Sequence, residues 1–310
     1  MKRIVIFGKS KHRTRTNLYF LRAFRNLGHK AKWIKYRKIR SYIGEKPANQ
    51  LCKIFLRWYS PEVLFLYAKD ISYDLLAWAR ERMKIILYYE DPKNDTFEEM
   101  VRFGRLAHLF YVTSRGDIPF YEERGIRARY ITGGCDSLAH YREEKTFSKY
   151  ESQLAFIGRP GAKNRIELIQ EISSQFDLKV YGKGWEKYGI QPALQNAYAD
   201  DYRRICASAA IILGQNVVER DLFFSNRIWY TLGCGGFFLT TYTPNMEEIF
   251  QRGVHLDWFI DLDECKEKIH YYLNHEEERK QIALQGYKLA HEQYSFEKLA
   301  QQMLKDLEEL

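Results

Sequence analysis

Short, almost wholly apolar runs recur along the chain and alternate with longer stretches of helical or polar character. Residues 3–7 (RIVIF), 63–67 (VLFLY) and 84–89 (KIILYY) are such runs. They read as strands buried on both faces, the mark of a parallel sheet covered by helices. Residues 17–27 place apolar side chains at 18, 20, 21, 24 and 27, a helical spacing that Gly28 closes. Residues 31–36 alternate as a strand, 47–58 form a basic amphipathic helix, and 75–82 are helical. Residues 109–113 and 128–132 read as further strands around a helix.

A Gly pair followed by charges, without a clear period, makes residues 133–150 the expected linker. A second series then begins, with strands at 153–158, 178–182 and 210–214 and helices from Asn164 and over 200–208. The stretch 225–250 (SNRIWYTLGCGGFFLTTYTPNMEEIF) predicts a helix, a Gly-Cys-Gly-Gly turn, a strand over 237–241 and a second helix opened at Pro244. Thr243 would cap that second helix, with Glu247 completing a capping box. Its Gly235 and Gly236 suit either a helix C-cap with a tight turn or a close backbone approach to a ligand. A strand near 254–260 and three helices finish the chain. The expected architecture is α/β: two doubly wound, Rossmann-like domains facing across a cleft, 1–145 and 146–310, with ligands at the carboxyl ends of the strands.

At 310 residues the chain has room for two domains. Its five cysteines are scattered, odd in number and lack a Cys-x-x-Cys pair, which points to reduced thiols in a cytoplasmic protein, with neither a disulfide frame nor a metal site. The apolar run at the start is too short for a signal-peptide core, and no run approaches the length that spans a bilayer. Charge is divided unevenly. Residues 1–150 hold 31 Lys and Arg against 16 Asp and Glu, a balance of +15, while the remainder stands at −6. Such asymmetry implies an acidic partner for the first domain.

The motifs FIGRPGAKNRIELI, VYGKGW, SNRIWYTLGCGGFFLTT, NMEE and YYLNHEEERKQIALQGYKLAHEQYSF follow one another over roughly residues 150–300. In that order they resemble the bacterial spore-maturation-type glycosyltransferases, a branch of the group 1 nucleotide-sugar glycosyltransferases with the GT-B fold. The resemblance implies a nucleotide-sugar donor such as UDP-glucose on the C-terminal domain, an acceptor on the N-terminal one, retaining hexosyl transfer, and no essential metal or cofactor. It puts Arg159 and Lys163, which otherwise read as a solvated basic turn, where the family binds the donor diphosphate, and Gly182, Gly184 and Trp185 where it shapes the nucleobase pocket. Trp185 would either stack on the base or cap the core. Ser225 and Arg227 match the family's Ser-x-Arg, the serine either donating to phosphate or capping the helix, and Gly235 and Gly236 follow in the same motif. Tyr230 stands where most relatives carry a glutamate that grips the ribose. A phenol cannot accept two hydrogen bonds as a carboxylate does, so donor identity is open, and Glu219 or Asp221 are candidates to substitute.

In the first domain, Glu90 and Asp91 end the fourth strand, where a carboxylate can orient or deprotonate an acceptor hydroxyl or simply form a turn. His12, in a loop among cations, is a candidate base or donor contact, or a bystander. Cations interleaved with Tyr19, Phe20, Trp33 and Tyr36 fit nucleic-acid contact and base stacking. A hydroxymethylated base in DNA is therefore the first acceptor expected, reached by extruding the base. An anionic envelope, spore-surface or lipid-linked polysaccharide at a membrane is the second. A non-catalytic DNA-binding protein on a degenerate transferase scaffold is the third.

Overall fold

The structure is a computed structural model and describes residues 1–8, 16–92, 97–216 and 218–310. The chain divides into two units, Met1–Thr132 with Phe296–Leu310, and Gly133–Ser295. This differs from the expected 1–145 and 146–310 in two ways. Residues 133–145 go with the second unit, and the last helix returns to the first.

The first unit runs β1 (Arg3–Phe7), α1 (Thr16–Asn26), β2 (Lys30–Ile34), α2 (Tyr36–Ile43), α3 (Glu45–Tyr59), β3 (Val63–Tyr67), α4 (Tyr73–Arg80), β4 (Lys84–Tyr89), α5 (Phe97–Gly104), β5 (Leu109–Val112), α6 (Ile118–Glu122) and β6 (Ala128–Tyr130). All six strands are parallel, in the order β2-β1-β3-β4-β5-β6. Ile4 to Phe7 and Leu64 to Leu66 are fully buried, as strands covered by helices on both faces must be.

In the second unit β7 (Ser152–Ile157), α7 (Lys163–Gln175), β8 (Leu178–Tyr181), α8 (Asp200–Ser208), β9 (Ala209–Gly214), α9 (Arg227–Gly233), β10 (Phe238–Thr241), β11 (Asp257–Phe259), α10 (Leu262–Asn274) and α11 (Glu276–Gln293) follow in turn. The sheet is again parallel, ordered β11-β10-β9-β7-β8. Strand order reverses between β7 and β9, the topological switch point where doubly wound sheets leave a crevice at their carboxyl ends.

The final helix, α12 (Phe296–Glu308), covers the first sheet. Phe296 packs on Tyr19 and Phe20 of α1, with ring centroids 5.1 and 5.0 Å apart. Asp306 accepts from Tyr111 at 2.5 Å and Gln302 at 2.6 Å, and pairs with Arg129 at 2.8 Å.

The helix expected from Pro244 is a single 3-10 turn, Met246–Glu248. Asn245 takes a left-handed φ of 62°, which breaks the helical run before it starts. Thr243 caps nothing there; its hydroxyl accepts from Asn216 Nδ2 at 2.8 Å. Residues 133–150 are no passive linker. Asp136 accepts main-chain bonds from Leu138 and Ala139, its own N–H donates to His140 Nδ1, and the His140 ring stacks on Tyr230 of α9.

Candidate functional site

At the switch point of the second sheet, β7 runs into Gly158 and Arg159, and β9 into Gln215 and Asn216. A small pocket beside them is lined by Gln215, Asn216, Ser225, Arg227, Thr240 and Thr243. Asn216 ties its walls together. Its Nδ2 donates to Thr243 Oγ1 and to the Phe223 carbonyl, its Oδ1 accepts from the Ser225 N–H at 3.1 Å, and its own N–H donates to Thr241 Oγ1.

Two guanidiniums meet at this place. Arg227, the first residue of α9, donates to the carbonyls of Ile157 at 3.3 Å and Gln215 at 3.1 Å. Arg165, in the first turn of α7, donates to the carbonyls of Arg159 at 3.2 Å and, again, Gln215 at 2.5 Å. Both cations also lie against the Phe156 ring, 5.4 and 5.7 Å from its centre. Arg165 is only 5% exposed, and its Nε has no hydrogen-bond partner. Among the described residues no carboxylate pairs with either arginine. Burial, and then the neighbouring Arg227, push the Arg165 guanidinium down to about 9; burial lowers Arg227 as well. Two adjacent cations withdrawn from water without a counter-charge are costly, and an anion arriving between them removes that cost. Planar forks of this kind match phosphate oxygens in geometry as well as charge.

Two glycines make the approach possible. A Cβ on Gly158 would lie 2.1 Å from Arg227 Nη1. Gly182, at φ 150°, would place its Cβ 2.2 Å from the Gly158 carbonyl oxygen, a backbone atom that cannot step aside. Gly182→Ala is therefore expected to cost about 2 kcal/mol of stability, the scale of an incompatible backbone substitution. A urea titration reads it, and an unchanged midpoint would show that the β7 and β8 loops can part freely.

The residues singled out from the sequence are distributed as follows. Arg159 is exposed, contributing its carbonyl to Arg165. Lys163 opens α7 with a side chain 89% exposed, 3.4 Å from Glu167. Gly184 lies in the loop after β8 and donates its N–H to Glu186 at 3.0 Å. Trp185 is 0% exposed, its indole N–H on the Gly158 carbonyl at 2.8 Å and its ring edge-on to Phe156. No face of it is left for a base, so of its two expected roles only core capping fits. Ser225 lines the pocket. Tyr230 lies flat on His140, ring centroids 4.1 Å apart, with Tyr202 at its edge. Asp221 accepts from Asn245 at 2.8 Å, and Glu219 is exposed.

Gly235 and Gly236 sit at the opposite end of α9 from Arg227. Their N–H groups donate to the carbonyls of Leu232 and Thr231, and their nearest neighbours are Arg142, Thr231 and Cys206. They close the helix and line no space beside Arg227, which corrects their expected place in the donor site.

In the first unit, Glu90 and Asp91 follow β4. Tyr67 donates its hydroxyl to the Glu90 carboxylate, and Thr113 donates to the Glu90 carbonyl at 2.8 Å. Burial, and then the charge of Glu90, hold the Tyr67 phenol well above its ordinary range. Asp91 is exposed. His12 lies outside the described residues.

Arg165, Gln215 and Asn216 escaped the sequence reading. For Arg165 a signal existed: it occupies the buried stripe of α7 with Leu168, Ile169 and Ile172, a charge at a core position of an amphipathic helix.

Two parallel, doubly wound sheets, the second carrying this anion-complementary crevice, give the chain the GT-B fold. Residues 163–305 match the model of the family described as "Glycosyl transferase-like". The chain is 25% identical over 285 residues to the spore protein CgeB of Bacillus subtilis, covering 83% of this chain and 86% of that one. Among solved structures it is similar to HepE of Anabaena, in complex with UDP and glucose, with a TM-score of 0.70, 12% identity and full coverage of both chains. It is also similar to the sucrose-phosphate synthase of Thermosynechococcus elongatus, with a TM-score of 0.71, 12% identity and 100% and 99% coverage.

Proposed function

We propose that this chain transfers a sugar from a nucleotide-sugar to an acceptor hydroxyl, with the donor diphosphate held against Arg165 and Arg227. The observation that carries this reading is a buried guanidinium, Arg165, and a half-buried one, Arg227, sharing the Gln215 carbonyl with no carboxylate on either among the described residues. As the bond between anomeric carbon and phosphate breaks, negative charge gathers on the leaving diphosphate. Fixed cations in a water-poor site stabilise that charge most where it is developing. The two arginines supply the neutralisation that a divalent cation provides in metal-dependent transferases, so the reading assigns no metal. UDP and UDP-glucose occupy the similar HepE, which supports a uridine donor. In a retaining hexosyl transfer the leaving phosphate itself accepts the proton of the acceptor hydroxyl. Glu90, fixed by Tyr67, is the side chain assigned to orienting that hydroxyl, with the first unit as acceptor domain. Five buried cysteines, none of them in a disulfide, suit a cytoplasmic site of action.

Lys163 is assigned to the outer, solvent-screened edge of the diphosphate together with Arg159. Lys163→Ala should weaken UDP binding by less than about 1 kcal/mol, as exposed charges do. A larger loss in calorimetry would mean that the lysine folds inward when donor binds.

For the acceptor, a hydroxymethylated DNA base draws its support from the +15 balance of residues 1–150. An anionic polysaccharide or lipid-linked glycan at a membrane gains from a specific observation: exposed Ile54 and Trp58 among the cations of α3, which duplex DNA has no use for. The test is a panel of nucleotide-sugars, each incubated with and without hydroxymethylated DNA and anionic glycan. Release of nucleoside diphosphate supports transfer, and the acceptor that accelerates it identifies the class. No release from any donor, with UDP still bound, would indicate a binding protein on a transferase scaffold.

A further inference from the structure

One face of α3 carries Leu51, Ile54 and Trp58 into solvent, Ile54 62% and Trp58 72% exposed. The spacing 51, 54, 58 makes a single helical stripe, beside the core stripe of Ala48, Cys52 and Leu56 but separate from it. Tyr42 and Ile43, at the end of α2, are exposed as well. Large apolar side chains grouped in this way mark a surface that meets something other than water.

Cations surround the stripe. Residues 36–59 hold six Lys and Arg against one acid, Glu45, which pairs with Arg40 at 3.3 Å. On one side of the stripe a groove is lined by Arg25, Lys32 and Lys35 together with Leu51 and Phe55. Lys32 Nζ stands 4.9 Å from the centre of the Trp58 ring and 4.6 Å from that of Tyr59.

We propose that the α2–α3 pair docks this protein on an anionic lipid surface. Leu51 and Ile54 enter the acyl boundary, Trp58 and Tyr42 lie at headgroup depth where amphipathic rings are most stable, and the surrounding cations meet lipid phosphate. Among the described residues no helix is long and apolar enough to cross a membrane, so the attachment is to the surface. Duplex DNA would satisfy the cations but leave the aliphatic stripe in water. A second copy on a two-fold axis would bring the same positive field against itself. The inference deepens the reading of an acceptor at a membrane, but it does not rest on what the donor site turns over, so vesicle binding and sugar transfer can fail separately.

The full chain is sedimented with vesicles of phosphatidylcholine alone and of phosphatidylcholine mixed with phosphatidylglycerol. Binding is expected only to the mixed vesicles, weakening as salt rises. The double substitution Ile54→Asp with Trp58→Asp should weaken it by roughly a hundredfold, since two large side chains no longer leave water. UDP binding and thermal midpoint should stay as in the parent. A second readout guards against an altered fold: the blue shift of tryptophan emission on adding mixed vesicles should be present in the parent and lost in Trp58→Phe. Equal binding by parent and double variant overturns the proposal, as does absence of binding to mixed vesicles. So does a dimer or a duplex-DNA complex that the double substitution abolishes while vesicles are ignored.

Discussion

Replacing Arg165 by methionine is expected to weaken UDP binding by about 1.5–3 kcal/mol, the cost of losing a charged hydrogen-bonding partner. The same change should leave the unliganded protein as stable as its parent, or more stable. The two expectations go together because of how Arg165 is buried: 5% exposed, with no carboxylate among the described residues and an unbonded Nε. An apolar chain of similar length removes an uncompensated charge from beside Arg227. The Gln215 carbonyl keeps its bond from Arg227, so only the Arg159 carbonyl, in an exposed loop, loses a protein donor. Calorimetry with UDP and a thermal melt without it read the two halves separately. Loss of stability and of affinity in parallel would make Arg165 a structural residue and move the diphosphate elsewhere.

Asp306→Ala is expected to destabilise the first unit by about 3 kcal/mol, the scale for removing one partner of a buried ion pair. Arg129 and Tyr111 would both be left facing a void under α12, while exposed Gln302 on α12 itself can turn to water. The acid limb of stability carries the same signature. Burial alone would raise the Asp306 carboxyl, but bonds from Tyr111, Arg129 and Gln302 outweigh it and hold the group below the ordinary carboxylate range. A carboxyl depressed in the folded chain contributes stability that is present above its unfolded value, about 4, and lost as pH falls through the folded one. Urea midpoints measured from neutral pH downward should therefore drop below about pH 4 in the parent and follow a flatter course in Asp306→Ala. Parallel curves would show that the bond network does not hold the helix.

Much of the fold was legible because parallel strands buried on both faces leave unbroken apolar runs: β1, β3 and β4 begin and end where RIVIF, VLFLY and KIILYY do. α2 was missed although Tyr36, Ile39 and Ile43 recur at helical spacing, because Tyr36 also completes the alternating run 31–36 and the strand reading claims it. The turn at Asn245 escaped for a different reason. Thr243, Pro244 and Glu247 have the right order for a cap, but Asn216 reaches across the fold and takes the Thr243 hydroxyl first. The donor-side residues divide along the same line. Ser225 and Arg227 were legible as a local motif, whereas Gln215 enters through its carbonyl, which every residue has. Arg165 announced itself only as a charge at a core position, a signal that local motif reading passes over.

That α12 is the last helix of the chain and yet covers the first sheet has a bearing on how the protein is made. The faces of Tyr19 and Phe20 that Phe296 covers leave the ribosome early and wait for 163 intervening residues of the other unit. Gly133–Ser295 is continuous and can close upon itself as it emerges, so the second half of the message completes the first native domain, reversing the usual order of synthesis. The nascent first unit meanwhile presents an apolar, cation-rich surface, the kind of chain a holding chaperone keeps from aggregating. A clone ending before Phe296 would leave that surface open for good, whereas one spanning Gly133–Ser295 cuts no domain in two.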